Sequence, residues 1–290
     1  MLRDARDYQI LFLALFLGLG LLTRDWTLQL DAVAVAIATS LAVQYALSVG
    51  LSWRVLSSPG PEANAETRSP LWQTDFNWRS PLITALGLSL LLRVDHAETM
   101  ALAAAIAIAS KFFLRIDGKH YFNPANLGII AALSFTHDAW VSPGQWGEEV
   151  WYALIFLGAG GIVLKRVGRW DTTGAFLLSY ALLEALRNQY LGWTWDVWAH
   201  RLMSGSLLLF ALFMVTDPRS IPNARPARLL WALSIAVLTF VLRNVFYVPT
   251  AVFWALFLLS PLTIALDRLW QAPRFTWGRR LPLSPTADAQ

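Results

Sequence analysis

The sequence predicts an all-α, polytopic membrane protein of about ten transmembrane helices in two inverted five-helix repeats. Three observations predict it. The 290 residues are 56% hydrophobic and only 14% charged, with a mean hydropathy of +0.48, whereas a soluble domain carries roughly 25% charge. Lys and Arg are sorted to one side of the expected spans. Two apolar segments of the first half align with two of the second half at one shared offset.

A spanning helix needs about 20 mostly apolar residues. Candidate spans fall at 8–22, 28–51, 80–92, 97–113, 124–135, 150–164, 173–186, 202–215, 229–242 and 249–266. The third and fifth are short enough to be half-spans or broken helices. The first is too apolar, and too poor in a small-residue cleavage site, to read as a cleaved signal peptide. With the N-terminus placed in the cytoplasm, every Lys and Arg except Arg24, Arg93, Arg187, Arg201 and Arg243 falls on the inner side. This asymmetry predicts that both termini are cytoplasmic, in a bacterial-type inner membrane. It also accounts for the net charge of +4 and the pI near 9.6 with the bilayer, and no nucleic acid, as partner. Tryptophans fall at the expected inner boundaries (Trp72, Trp78, Trp170, Trp231, Trp277) and outer ones (Trp26, Trp140, Trp146, Trp193, Trp195), as two aromatic belts should.

The expected organisation is a first half at 1–136, a second half at 137–270 and a cytoplasmic tail at 271–290. The Pro- and Ser-rich stretch at 57–70 reads as a cytoplasmic linker. Cysteine is absent, which excludes disulfides, Cys-ligated zinc or iron–sulfur clusters and c-type haem within this chain.

The repeat lays RSPLITALGLSLLLR (79–93) on SGSLLLFALFMVTDP (204–218), and FNPANLGIIAAL (122–133) on YVPTAVFWALFL (247–258), so that Pro124 matches Pro249. Five spans per half is odd, so the halves must run in opposite directions. Inverted repeats place binding sites near the midplane, at discontinuous helices.

Candidate site residues follow from local chemistry. Asn123, Pro124 and Ala125 open an apolar span after a polar loop. Asn suits the cap and Pro the first turn, and the exposed N–H groups there favour a phosphate or another anion. A purely structural cap is the competing reading. Thr216, Asp217 and Pro218 end the eighth span. An acid at a helix C-terminus opposes the macrodipole, which points to a partner such as an arginine, a cation or a cofactor. A solvated end paired to Arg219 is the alternative. Glu184 lies inside the seventh span, and an intramembrane carboxylate is an ion-path candidate by default. A local pair with Arg187, three residues on, is the bland reading. His96 and His200 are the conceivable haem pair, both at outer boundaries where histidines usually meet water. No nucleophilic triad, Walker loop or dinucleotide fingerprint is present, and no metal site is expected.

These pieces together resemble the RnfD/NqrB membrane subunits of ion-pumping electron-transport complexes. The resemblance rests on RSPLITALGLSLLL (79–92), FNPANLG (122–128), WGEE with an apolar span and LKRVGRW (146–170), SGSLLLFALFMVTDP (204–218) and VPTAVFWALFLLSPL (248–262). The fourth is similar to the family's Phe-Met-Ala-Thr-Asp-Pro signature, with Val215 in the Ala place. The resemblance implies ten helices in inverted halves, a flavin, and partnership with other membrane or extracytoplasmic redox subunits. It also implies covalent flavinylation of a Thr in the outer loop before the sixth span. Here that loop reads THDAWVSPGQWGEE (136–149) and holds no such motif, while the lookalike DTTGA (171–175) falls on the inner side. A covalent flavin is therefore not expected; a noncovalent one (FMN or riboflavin) has Asn123, Thr216 and Asp217 as candidate contacts. The short loop is similar to a branch labelled enediyne-biosynthesis membrane proteins of the UnbU type. The expected role is a flavin-associated electron-transport subunit, at most a redox subunit of an oxidoreductase complex, with coupled ion translocation. A small-solute channel or carrier, and a redox-inactive anchor for partner enzymes, are the alternatives.

Overall fold

The computed structural model describes residues 4–23, 27–57, 77–142 and 150–275. The 57–70 linker beyond its first residue, most of the 271–290 tail, and Trp26, Trp72, Trp146 and Trp277 lie outside the described residues. So do residues 143–149 of the outer loop.

The chain is mostly helical. Helices α1 (Ala5–Thr23), α2 (Leu30–Ser57), α3 (Arg79–Leu91), α4 (Ala97–Phe113) and α5 (Pro124–Phe135) make the first half. Helices α6 (Val150–Val167), α7 (Trp170–Leu191), α8 (Trp195–Leu202), α9 (Gly205–Leu209), α10 (Arg225–Asn244), α11 (Ala251–Leu259) and α12 (Leu262–Leu269) make the second. A π-helical turn, Phe210–Met214, continues α9. Among the described residues, three helices (α1, α2 and α10) are long and apolar enough to cross a membrane. The number is five if each bent pair counts as one span: α8 with α9 and its π turn, bent by 53°, and α11 with α12, bent by 49°.

One of the expected unbroken spans, 249–266, is thus broken, and a second bend sets the unexpected helix α8 off from the span expected at 202–215. Pro261 explains one break, because its missing N–H and its ring cannot continue α11. The other falls at Met203–Ser204, before Gly205. The all-helical expectation is also corrected in detail by two small antiparallel ribbons. Strand β1 (Leu92–Val94) pairs with β4 (Ala139–Val141), and β2 (Arg115–Ile116) pairs with β3 (Lys119–His120). The second is a hairpin whose turn carries Asp117 and Gly118 at positive φ, where Asp and Gly are the residues that tolerate it.

Local chemistry sets the helix ends. The Asn123 carboxamide caps α5 by accepting from Asn126 N–H at 3.0 Å, with Pro124 in the first turn. Gly192 ends α7 in the left-handed region, and Asn188 holds the turn by donating to the carbonyls of Trp193 and Thr194.

Neighbours recur across the halves. Helix α2 packs on α4 as α7 packs on α10; α4 packs on α5 as α10 packs on α11; α1 packs on α3 as α6 packs on α9. Residues 4–142 and 150–275 touch, among other places, where α1 meets α6 and α5 meets α11. Small residues set the closeness. Ala103, Ala104 and Ala107 of α4 are fully buried, and a Cβ on Gly128 of α5 would stand 2.6 Å from the Ala103 carbonyl, so only glycine admits this approach. Phe176, Phe210 and Phe253 join α7, the π turn and α11 edge to face. Trp231, expected in an inner aromatic belt, is instead buried and donates to Leu259 O at 3.1 Å.

Candidate functional site at the π turn

The π turn shifts the hydrogen-bond ladder. Val215 N–H reaches back to Phe210 O at 3.0 Å, five residues earlier, which leaves carbonyls in need of other donors. Side chains supply them. Thr173 Oγ1 donates to Ala211 O (2.7 Å), Thr216 Oγ1 to Leu212 O (2.7 Å) and Asn123 Nδ2 to Met214 O (3.3 Å). The last of these ties the α5 cap to the end of the π turn.

The two motifs that the sequence singled out therefore meet. Asn123, Pro124, Ala125, Thr216, Asp217 and Pro218 all line one cavity of about 100 Å³ between the halves. Its apolar wall includes Leu209, Phe213 and Leu164, and its polar end includes Lys111, His120 and Arg219.

Asp217 is not paired to the Arg219 guanidinium, as the local alternative proposed. Its Oδ2 lies 3.7 Å from His120 Nε2, and its Oδ1 accepts the Arg219 backbone N–H at 3.1 Å. Burial alone would raise the carboxyl, but the adjacent imidazole, that N–H and Ser220 hold it below the usual carboxylate range. His120 comes from the β2–β3 hairpin, so the hairpin delivers the partner that Asp217 lacks in its own segment.

Lys111, in the last turn of α4, is buried. Its Nζ donates to Thr84 Oγ1 (2.8 Å), Ser80 Oγ (3.2 Å) and Ser80 O (3.3 Å). Among the described residues no carboxylate lies within ion-pair distance of it, so a buried cation faces the cavity with only neutral acceptors. That arrangement is costly unless an anion or a polarised carbonyl completes it. Sequence reasoning counted Lys111 only as one of the inner-side charges and did not single out His120. The available signal was a lysine at the end of an otherwise apolar span.

Glu184 lies apart from this cavity, and its local pairing is corrected. The residue is 2% exposed. Oε2 accepts from Arg201 at 2.8 Å and Oε1 from Asn244 at 2.7 Å. Arg187 instead faces the Trp193 ring at 4.8 Å. Nearby, Arg243 donates to Tyr180 Oη at 3.1 Å. His96 and His200 are both exposed.

Residues 96–276, more than half of the chain, match the NQR2, RnfD, RnfE family. The RnfD protein of the ion-translocating oxidoreductase complex of Stutzerimonas stutzeri is 35% identical over 175 residues, covering 60% of this chain and 45% of that protein. The corresponding RnfD proteins of Psychromonas ingrahamii (32% over 141 residues, 47% and 39% covered) and Halorhodospira halophila (29% over 147 residues, 49% and 40% covered) are also similar. The chain thus spans less than half the length of these relatives. With the matched region holding the α5 cap, the π turn and the cavity's polar end, the chain is a multi-pass membrane protein that belongs to the NQR2, RnfD, RnfE family.

Proposed function

We propose that this chain is a membrane subunit of an RnfD-type electron-transport complex and holds a noncovalent flavin, FMN or riboflavin, in the cavity beside the π turn. The observation that carries the proposal is Lys111: a buried ammonium with no carboxylate partner among the described residues, facing a cavity with one apolar wall. The residues fit the chemistry of a flavin. Phe213 and Leu209 offer an apolar surface to a planar ring. Lys111 offers a charged donor to a ring carbonyl or a phosphate, and Arg219 lies at the same polar end. Asn123, whose amide and carbonyl are both engaged, and Thr216 position the wall rather than reach inward. A bound flavin would supply one- and two-electron transfer. The protein orients it, excludes water from its ring and fixes positive charge near one edge.

The recurring neighbour pattern of the two halves supports ten spans in inverted repeats, with halves at 1–136 and 137–270. The sorting of Lys and Arg supports an inner-membrane protein with cytoplasmic termini. The names of the relatives support partnership with other membrane or extracytoplasmic redox subunits, and coupling of electron flow to ion movement. One observation favours a small-solute carrier instead: two helix pairs bent by 53° and 49°, of the kind that line carrier sites.

The test is the absorption and fluorescence of the detergent-purified protein before and after acid precipitation. Flavin released to the supernatant is the expected result. Fluorescence retained in the pellet would mean covalent attachment, and a colourless protein from a preparation supplied with flavin throughout would favour the carrier. Uptake of solute by proteoliposomes without an electron donor would establish the carrier directly.

A further inference from the structure

A second cationic cluster lies where α7 and α10 begin. The two helices run in parallel and their first turns adjoin, since Arg228 of α10 donates to Asp171 Oδ2 of α7 at 2.8 Å. Both start without a side-chain cap at their N-cap residues, Arg169 and Ala224. Two positive helix ends are therefore set side by side. Three guanidinium groups crowd the same place. Arg228 is buried, Arg225 Nε stands 3.5 Å from Asp171 Oδ2, and Arg169 is close enough to Arg228 to feel its charge.

Asp171 is the carboxylate ion-paired with Arg225 and Arg228 here, and it is shared. Its Oδ1 is already occupied by the N–H and hydroxyl of Thr172. The guanidinium groups are also short of acceptors. Arg228 gives one nitrogen to Asp171 and one to Asn223 O (2.6 Å), and its Nε has no partner. Arg169 Nε likewise has none. Burial and the neighbouring Arg228 pull Arg169 down to about 10, against the opposing effect of Asp171, as expected where positive charge is under-compensated.

We propose that this cluster holds the phosphate of an anionic phospholipid, with Arg225 and Arg169 as the contacting side chains and Arg228 as fixed charge behind them. The surface around it favours a lipid over a free anion. Trp170 is exposed beside Arg225, 6.0 Å from its guanidinium, the pairing found at headgroup level. Arg225, Leu229 and Leu233 share one face of α10 at four-residue spacing, and Leu229, Leu233 and Val237 are exposed. An acyl chain hanging from a headgroup at Arg225 would lie along that stripe. Basic pockets between helix ends on the cytoplasmic side take such headgroups.

The experiment is native mass spectrometry and thermal unfolding of the full-length protein in detergent. The probes are phosphatidylglycerol, phosphatidylcholine and glycerol phosphate. The variants are Arg225→Gln, Arg169→Gln and, as a control at the other end of α7, Arg187→Gln. Phosphatidylglycerol should be retained and should raise the unfolding temperature, phosphatidylcholine should do neither, and each cluster arginine removed should weaken retention about fivefold. Arg187→Gln should match wild type. Equal responses to the two lipids would overturn the proposal, as would wild-type retention in both cluster variants. A response reproduced by glycerol phosphate would overturn the lipid as occupant. Should Arg169→Gln not fold, Arg225→Gln decides alone, because the Arg225 side chain is 65% exposed and its loss leaves the core intact.

Discussion

The side-chain amide of Asn123 donates to the carbonyl of Met214 at 3.3 Å, joining two motifs 91 residues apart. The same side chain caps α5 through its oxygen. Asn123→Ala removes both roles and should destabilise the protein by about 1–2 kcal/mol. Asn123→Ser keeps a neutral cap acceptor and removes the donor to Met214, so it should recover part of that loss. Chemical unfolding of both variants in detergent measures the two contributions separately, and equal losses would mean that the cap contributes nothing.

Lys111→Met should separate stability from ligand binding. Replacing a buried lysine whose hydrogen-bond acceptors are all neutral with an apolar chain of similar length should leave stability unchanged or raise it. Flavin retention should fall about tenfold or more, the equivalent of one charge-assisted hydrogen bond. Titration of apoprotein with FMN and riboflavin gives both affinities, and unchanged binding in the variant would remove Lys111 from the site.

Glu184→Ala should cost about 2–3 kcal/mol. That is below the cost of breaking a wholly buried pair, because the Arg201 side chain keeps 24% of its surface in solvent. Flavin content should not change, since Glu184 lies near the opposite end of α7 from the π turn's contact at Thr173. A loss of flavin at retained stability would show that the two regions communicate.

The Asp217 carboxyl is held below its ordinary range in the folded protein, so its ionised form contributes stability. The contribution should be fully present above about pH 4, the ordinary carboxylate range, and lost as pH falls through the depressed folded value. Wild type should therefore unfold at a higher temperature than Asp217→Asn at neutral pH, and the gap should close in the acid range. A gap independent of pH would assign the effect to packing.

Much of the helical frame was legible. Long apolar runs, the NPA cap and the TDP stop placed helix ends close to where they stand, because caps and breakers act within a few residues. The break at Pro261 was less visible, as apolar composition continues through it, and helix α8, with Asp196, His200 and Arg201, lies outside every expected span. The six candidate residues around Asn123 and Asp217 were chosen from separate local arguments, and they come together in one cavity. Their charged companions were not foreseen. Lys111 and His120 reach the cavity through folding of distant segments, and Glu184 finds Arg201 and Asn244 rather than the nearby Arg187. In each case partner choice depends on which helices lie side by side, which three- and four-residue spacings do not encode.

Helices α7 and α10 are joined near both ends, by Asp171 with Arg228 and by Glu184 with Asn244. These ties are roughly 20 Å apart along α7. Sliding one helix past the other by a single turn would break both at once, exposing buried charge at each end. The pair should therefore behave mechanically as one stiff strut. The elbows at Met203–Ser204 and Ser260–Pro261 lie outside that strut, so a bend there can change without breaking either tie.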